Sequence, residues 1–220
     1  MSTKSTLRSE WKEMATLDAA RLVLAAHPQR LADVLDGRLS TAVVGRLQGC
    51  ARLHDRIAPM LIEPHVGSPG DIPADDAAIA DRQATFERLF QADLKQASSL
   101  AGAAWNARSL RQMIRGRDVT DLVAQIGQRA HAFGLHRDGV APALGSVAPG
   151  ALAERIMRDG YACLAVWFSS FPPPMRQQLH VRLPPENDEF SEWSDEQQRL
   201  ALGLIDPVLS ELDGSTHASA

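Results

Sequence analysis

The chain has only two cysteines, Cys50 and Cys163, far apart and without C-x-x-C spacing, so neither a disulfide framework nor a zinc knuckle has the material it needs. A reducing cytosol is the expected home. Long apolar runs are missing too. The longest, "YACLAVWF" at Tyr161–Phe168, falls far short of the roughly 20 residues that cross a bilayer. The N-terminal "SEWKEMATLD" lacks the apolar core of a secretory signal. Basic excess is absent, with a formal net charge of −4, so no global attraction draws the chain to nucleic acid or anionic lipid. What is present is ordinary for a globular protein: 220 residues, 45% hydrophobic and 23% charged, enough to bury a core without staples.

The motifs of common chemistries are lacking as well. The seven histidines, His27, His54, His65, His131, His136, His180 and His217, include no pair at the i, i+4 spacing that sets two imidazoles on one helical face, and no metal site is expected. G-x-S-x-G, the P-loop signature and G-x-G-x-x-G after a strand do not occur. Glu87, Asp93, Glu154 and Asp159 sit singly on polar helix faces, and Cys163 lies within an apolar helix face as inert packing. The stretch Arg38–Arg56 imitates a helix-turn-helix, but Val43, Val44, Leu47 and Leu53 belong in a core where a recognition helix presents polar groups. We expect no catalytic residues, no cofactor and no nucleic-acid partner.

Apolar residues recur three and four apart through most of the chain, and period-two alternation is nearly absent. The expected fold is mainly α, an irregular helical domain with at most a short β-strand or hairpin near residues 178–183. Residues 1–58 read as an N-terminal helical segment, with Pro28 opening a helix and Gly37 just past a helix end. Residues 59–76 read as a linker or long loop, rich in proline. Residues 77–212 form the main helical domain, and 213–220 a disordered tail. One long helix is expected from near Asp76 to around "AGAAWNARS" (Ala101–Ser109), with Ile79, Phe86, Leu89, Phe90, Ala97, Leu100 and Ala104 on one stripe. Ser109 offers a cap for a short helix that stops at Gly116. Asp118 caps another that ends at Gly134. From Ala151 a buried central helix carries Leu152, Ile156, Met157, Tyr161, Leu164, Trp167, Phe168 and Phe171, and Pro172–Pro174 must end it. In "QLHVRLP" the alternation of Leu179, Val181 and Leu183 with His180 and Arg182 is the clear strand signal. Ser194 with Gln197 forms a capping box for a last helix through Leu212.

Together, "GYACLAVWFSSFPPPMRQQLHVRLP" (Gly160–Pro184) and "FERLFQADLKQASSLAGAAWNARSLRQMIRGRDVTDLVAQIG" (Phe86–Gly127) resemble the K component of bacterial type III secretion systems, the SctK family; "AARLVLAAHPQRLADVL" matches more loosely. The order of elements is similar: an apolar helix, a helix opened by a small-residue turn, then a glycine-aromatic helix ending in prolines and an "R-L-x-L-R-L-P"-like strand. The resemblance covers about two thirds of the chain, and its motifs are packing motifs. The triple proline and the loop at Ala58–Asp76 depart from it. What the resemblance implies is a non-enzymatic cytosolic adaptor of the sorting platform, peripheral at the inner-membrane secretion apparatus. Its implied partners are the pod-forming Q component and the cytosolic domain of the inner-membrane ring protein D. The alternative is an all-helical regulator or small-ligand-binding domain, which requires an apolar pocket with convergent polar groups.

The candidate partner-binding residues follow from the same signals. A strand at Gln178–Leu183 without an obvious mate offers backbone groups, with Leu179 and Val181 on its apolar side. Beside it lie the acidic residues Glu186, Asp188 and Glu189, and Trp193. Trp105, at an expected helix break, and Trp193 are expected to be partly exposed, as interface anchors are. Trp167, Phe168 and Phe171 are expected in the core.

Overall fold

The computed structural model describes residues 18–35, 37–62, 76–137, 148–185 and 193–216. Among them every regular element is a helix, as the apolar periodicity requires, and no strand occurs. No helix of the described residues is long and apolar enough to cross a membrane. By its contacts the chain divides into two compact units, residues 1–82 with 171–186 and residues 83–170 with 187–220.

The first unit holds α1 (Ala19–Ala25), α2 (Pro28–Val34), α3 (Thr41–Gln48), a short 3-10 turn, and α4 (His54–Leu61). Pro28 opens α2 at its first position, as expected, and His27 Nδ1 accepts from the Gln29 amide at 3.3 Å. Leu22, Val23, Ala26, Leu31, Val44, Ile57, Ala58 and Leu61 make the core of this unit together with Val181. Gln48 closes the end of α1 by donating to the carbonyls of Val23 and Ala26. The boundary expected after Ala58 falls inside α4. The expected linker lies mainly outside the described residues.

The second unit is built on two central helices. It begins at Gln83, within α5 (Asp76–Gln91), and runs through α6 (Leu94–Trp105), α7 (Ala107–Gln112), α8 (Gly116–Ile126) and α9 (Gln128–His136); α10 (Leu152–Ser169), α12 (Asp195–Leu202) and α13 (Ile205–Thr216) complete it. From Ala97 to Trp105 every residue of α6 is buried, and from Ala162 to Phe168 every residue of α10. These two helices make the most extensive pairing in the molecule. Their backbones touch: a Cβ on Gly102 would overlap the Ile156 carbonyl oxygen, and a Cβ on Gly160 would overlap that of Ser98. Only glycine permits so close an approach. Ser98 and Ser99 enter this apolar contact because both hydroxyls donate back to the Lys95 carbonyl, at 2.8 and 2.9 Å.

Several local expectations are corrected. The single long helix expected from near Asp76 is two helices, because the Asp93 carboxylate accepts from the amides of Lys95 and Gln96 and so starts a new one after Ala92. Phe86, Leu89, Phe90, Ala97, Leu100 and Ala104 are nonetheless all buried. The helix expected from Asp118 to Gly134 breaks at Gly127, whose φ of 87° lies in the left-handed region. It begins at Gly116, so Asp118 lies in its first turn and does not cap it. Ser109 sits inside α7. The last helix is divided by a turn at Gly203, and α13 continues to Thr216, past the expected start of the tail at 213. The capping box of Ser194 and Gln197 is present.

Candidate interaction surfaces

The expected strand at 178–183 does not exist. Its residues form the end of α11 (Pro173–His180) and the turns after it. The reason lies in the prolines. Pro172 occupies the N-cap and Pro173 the first helical position, where a missing amide proton costs nothing and a fixed φ favours the helix. The triple proline therefore ends α10 and also starts α11. Met175, Gln178 and Leu179, at helical spacing, form the buried face, and Val181 and Leu183 follow them inward through the turn.

The backbone groups offered to a partner strand are in use. The amides of Val181, Arg182 and Leu183 donate to the carbonyls of Gln177, Leu179 and His180. The carbonyl of Val181 accepts from the His27 amide at 2.8 Å, and that of Leu183 from Arg30 Nε at 2.6 Å. Arg30 Nη2 donates to the Pro184 carbonyl at 3.3 Å. Strand addition has nothing to pair with here. Leu179 is 0% exposed and Val181 6%, so neither is a partner-facing residue. Glu186, Asp188 and Glu189 lie outside the described residues.

The two tryptophans are brought together, which sequence spacing did not show. Trp105 and Trp193 stack with ring centroids 4.5 Å apart and planes 8° from parallel. Trp105 is 1% exposed, so the expectation that it is a surface anchor is corrected: it closes α6 from inside. Trp193 is half-buried, which agrees with partial exposure. Its position is set by the start of α12, where the Ser194 box fixes the turn and Gln198 Nε2 donates to the Trp193 carbonyl at 3.0 Å. Trp167, Phe168 and Phe171 are core residues as expected, and the Trp167 indole N–H donates to the Ala201 carbonyl at 2.6 Å.

Asp159 and Cys163 of the second unit are occupied with packing. Asp159 accepts from Asn106 Nδ2 at 3.0 Å and pairs with Arg155 at 3.4 Å, bracing α10 against the end of α6. Burial, with the Asp159 charge second, pushes the Cys163 thiol well above the usual range, so it stays protonated and unreactive. No group of three or more potential metal ligands occurs among the described residues.

The geometry is that of a helical packing scaffold with its aromatic and small residues turned inward. No protein-family model matches the chain, and no solved structure matches it significantly. Two curated proteins are similar. Nodulation protein NolU of Sinorhizobium fredii (strain NBRC 101917 / NGR234) is 37% identical over 171 residues, 77% of this chain and 75% of that protein. Nodulation protein NolU of Rhizobium fredii is 38% identical over 167 residues, 75% of this chain and 73% of that protein. The chain belongs to the NolU family of nodulation proteins.

Proposed function

We propose that the chain is a non-enzymatic adaptor, the K component of a type III secretion sorting platform, linking the pod-forming Q component to the cytosolic domain of the inner-membrane ring component D. The observation that carries the reading is the use made of the residues on which the SctK resemblance rests. Ser98, Gly102, Trp105, Gly160, Trp167, Phe168, Phe171 and Leu179 are all buried, which supports a motif that encodes a scaffold; the reading assigns partner contact to its outer faces. Kinship with nodulation proteins suits a bacterium that acts on a plant host through a secretion apparatus. The non-enzymatic part of the reading is supported by the chemistry within: the Cys163 thiol is buried and protonated, and Asp159 is committed to Asn106 and Arg155.

On this reading the protein works at the cytosolic side of the inner membrane and needs no cofactor. The test is deletion of its gene in the native host. Secretion of type III substrates into the medium is expected to stop, with growth unchanged and secretion restored by a plasmid copy. Undiminished secretion refutes the proposal.

A further inference from the structure

The chain carries its charge unevenly. It is acidic as a whole, at −4, yet Arg108–Arg117 holds four arginines and no acidic residue in ten positions. From 107 to 137, through α7, α8 and α9, six arginines stand against two aspartates, Asp118 and Asp121. Three of the arginines serve the fold. Arg129 Nε pairs with Glu211 Oε1 at 2.8 Å. Arg111 Nη2 donates to the Leu135 carbonyl at 2.8 Å, capping the end of α9, and Arg137 lies over the Phe133 ring at 4.9 Å. Arg108, Arg115 and Arg117 are exposed, and only Arg117 meets an acid there, Asp121 at the long distance of 3.9 Å.

In the middle of this basic edge stands Ile114. It is 92% exposed, the most exposed large hydrophobic residue among the described residues, whereas Leu110 and Leu122 in the flanking helices are each 2% exposed. It sits in a three-residue connection, 113–115, between two helices. Both flanks are tied: the Met113 amide donates to the Leu110 carbonyl, and the Arg115 carbonyl accepts from the Val119 amide. An aliphatic side chain is thus held out at a fixed place with cations on either side. A single exposed leucine or isoleucine needs no explanation. An isoleucine centred in a run of four arginines without an acidic residue among them does.

We propose that the Arg108–Arg117 edge is an interaction surface that receives an acidic segment of a partner protein, with Ile114 entering an apolar recess of that partner. Charge complementarity selects the occupant: arginines pair carboxylates and set encounter and orientation, and the apolar centre supplies the buried contact. A membrane surface fits less well, because Leu110, Leu122 and Ile126 of α7 and α8 are buried inward, and the half-buried Val119 and Val123 leave no broad apolar face to enter lipid. Nucleic acid fits less well, because no aromatic ring stands in the segment to stack on bases. The inference rests on the adaptor reading for the partner's source and not for its chemistry.

The test replaces Ile114 with a photo-crosslinking amino acid in the full-length protein, in its native host, and identifies the adduct by mass spectrometry. One dominant protein adduct is expected, mapping to a segment with an excess of Asp and Glu. Arg108→Glu with Arg115→Glu should lower its yield by about tenfold or more, and the milder Arg108→Gln with Arg115→Gln by less, with unchanged thermal melting of both exposed-site variants. An adduct to phospholipid or nucleic acid, to a neutral or basic segment, to many unrelated proteins, or no adduct at all overturns the inference. An acidic segment from a protein outside any secretion apparatus leaves this inference standing and tells against the adaptor reading.

Discussion

Two glycines in helix interiors should respond with opposite sign to the same substitution. A Cβ at Gly102 would overlap the Ile156 carbonyl oxygen and lie 2.7 Å from its carbon, with the Gly160 amide nitrogen at 3.0 Å. The obstacles are backbone atoms, which cannot rotate away, so α6 and α10 must part by more than about 1 Å along a close-packed contact. Overpacking of this kind costs about 1–3 kcal/mol, and the parting also loosens Leu100, Ile156 and Leu164, which are fully buried around it. Overlap with backbone atoms puts the cost at the upper end of that range; alanine recovers about 0.5–1 kcal/mol of helix propensity, leaving Gly102→Ala less stable by about 2 kcal/mol. Gly45, inside α3 and exposed, would place its Cβ where nothing lies within 4 Å. There only the propensity acts, and Gly45→Ala should gain about 0.5–1 kcal/mol. Thermal and urea unfolding followed by circular dichroism decides, with an expected fall of about 5–10 °C for Gly102→Ala and a small rise for Gly45→Ala. A Gly102→Ala protein that melts at or above the wild-type temperature refutes the claimed contact between the two central helices.

Asp159→Ala removes the acceptor that Asn106 and Arg155 share in a largely buried setting, and should cost about 2–3 kcal/mol in urea unfolding; a loss below about 0.5 kcal/mol would mean the network is ornamental. In the folded protein at pH 8 a thiol reagent should modify Cys50, which is partly exposed, and spare Cys163, whose thiol burial keeps protonated; the count should rise to two on unfolding. Because the unfolded chain releases that thiol proton at ordinary alkaline pH and the folded chain holds it, stability should fall as pH rises past about 8.5, a loss that Cys163→Ala should reduce.

The buried face of α10 was legible in the sequence because more than half of its circumference is apolar, a pattern with no exposed solution. The Ser194 box and the start at Pro28 were legible because caps are local chemistry that spacing alone reveals. The misread elements are those where two local rules compete. Leu179, Val181 and Leu183 satisfy period two, yet Met175, Gln178 and Leu179 satisfy the helical period, and the prolines at the first positions of α11 decide for the helix. The break at Asp93 interrupts a stripe whose residues stay on the buried side after it, so periodicity concealed it. The burial of Trp105 depends on Trp193, 88 positions away, and no spacing reports that contact. The mutual approach of Gly102 and Gly160 was hidden for the same reason, although Ser98 and Gly102, four apart, are a small-residue spacing of the kind that allows helices to touch. The basic edge around Ile114 was missed because charge was weighed over the whole chain, where acidic residues elsewhere offset the local run of arginines.

Adaptor function can be tested directly with purified components. The purified full-length chain, mixed with the Q-type pod protein and the cytosolic domain of the D-type ring protein of the same host, is examined by size-exclusion chromatography with mass determination. One complex containing all three is expected, while the Q and D proteins mixed without this chain should elute apart. If Q and D associate equally well in its absence, or if the chain elutes alone from both, the claim is contradicted.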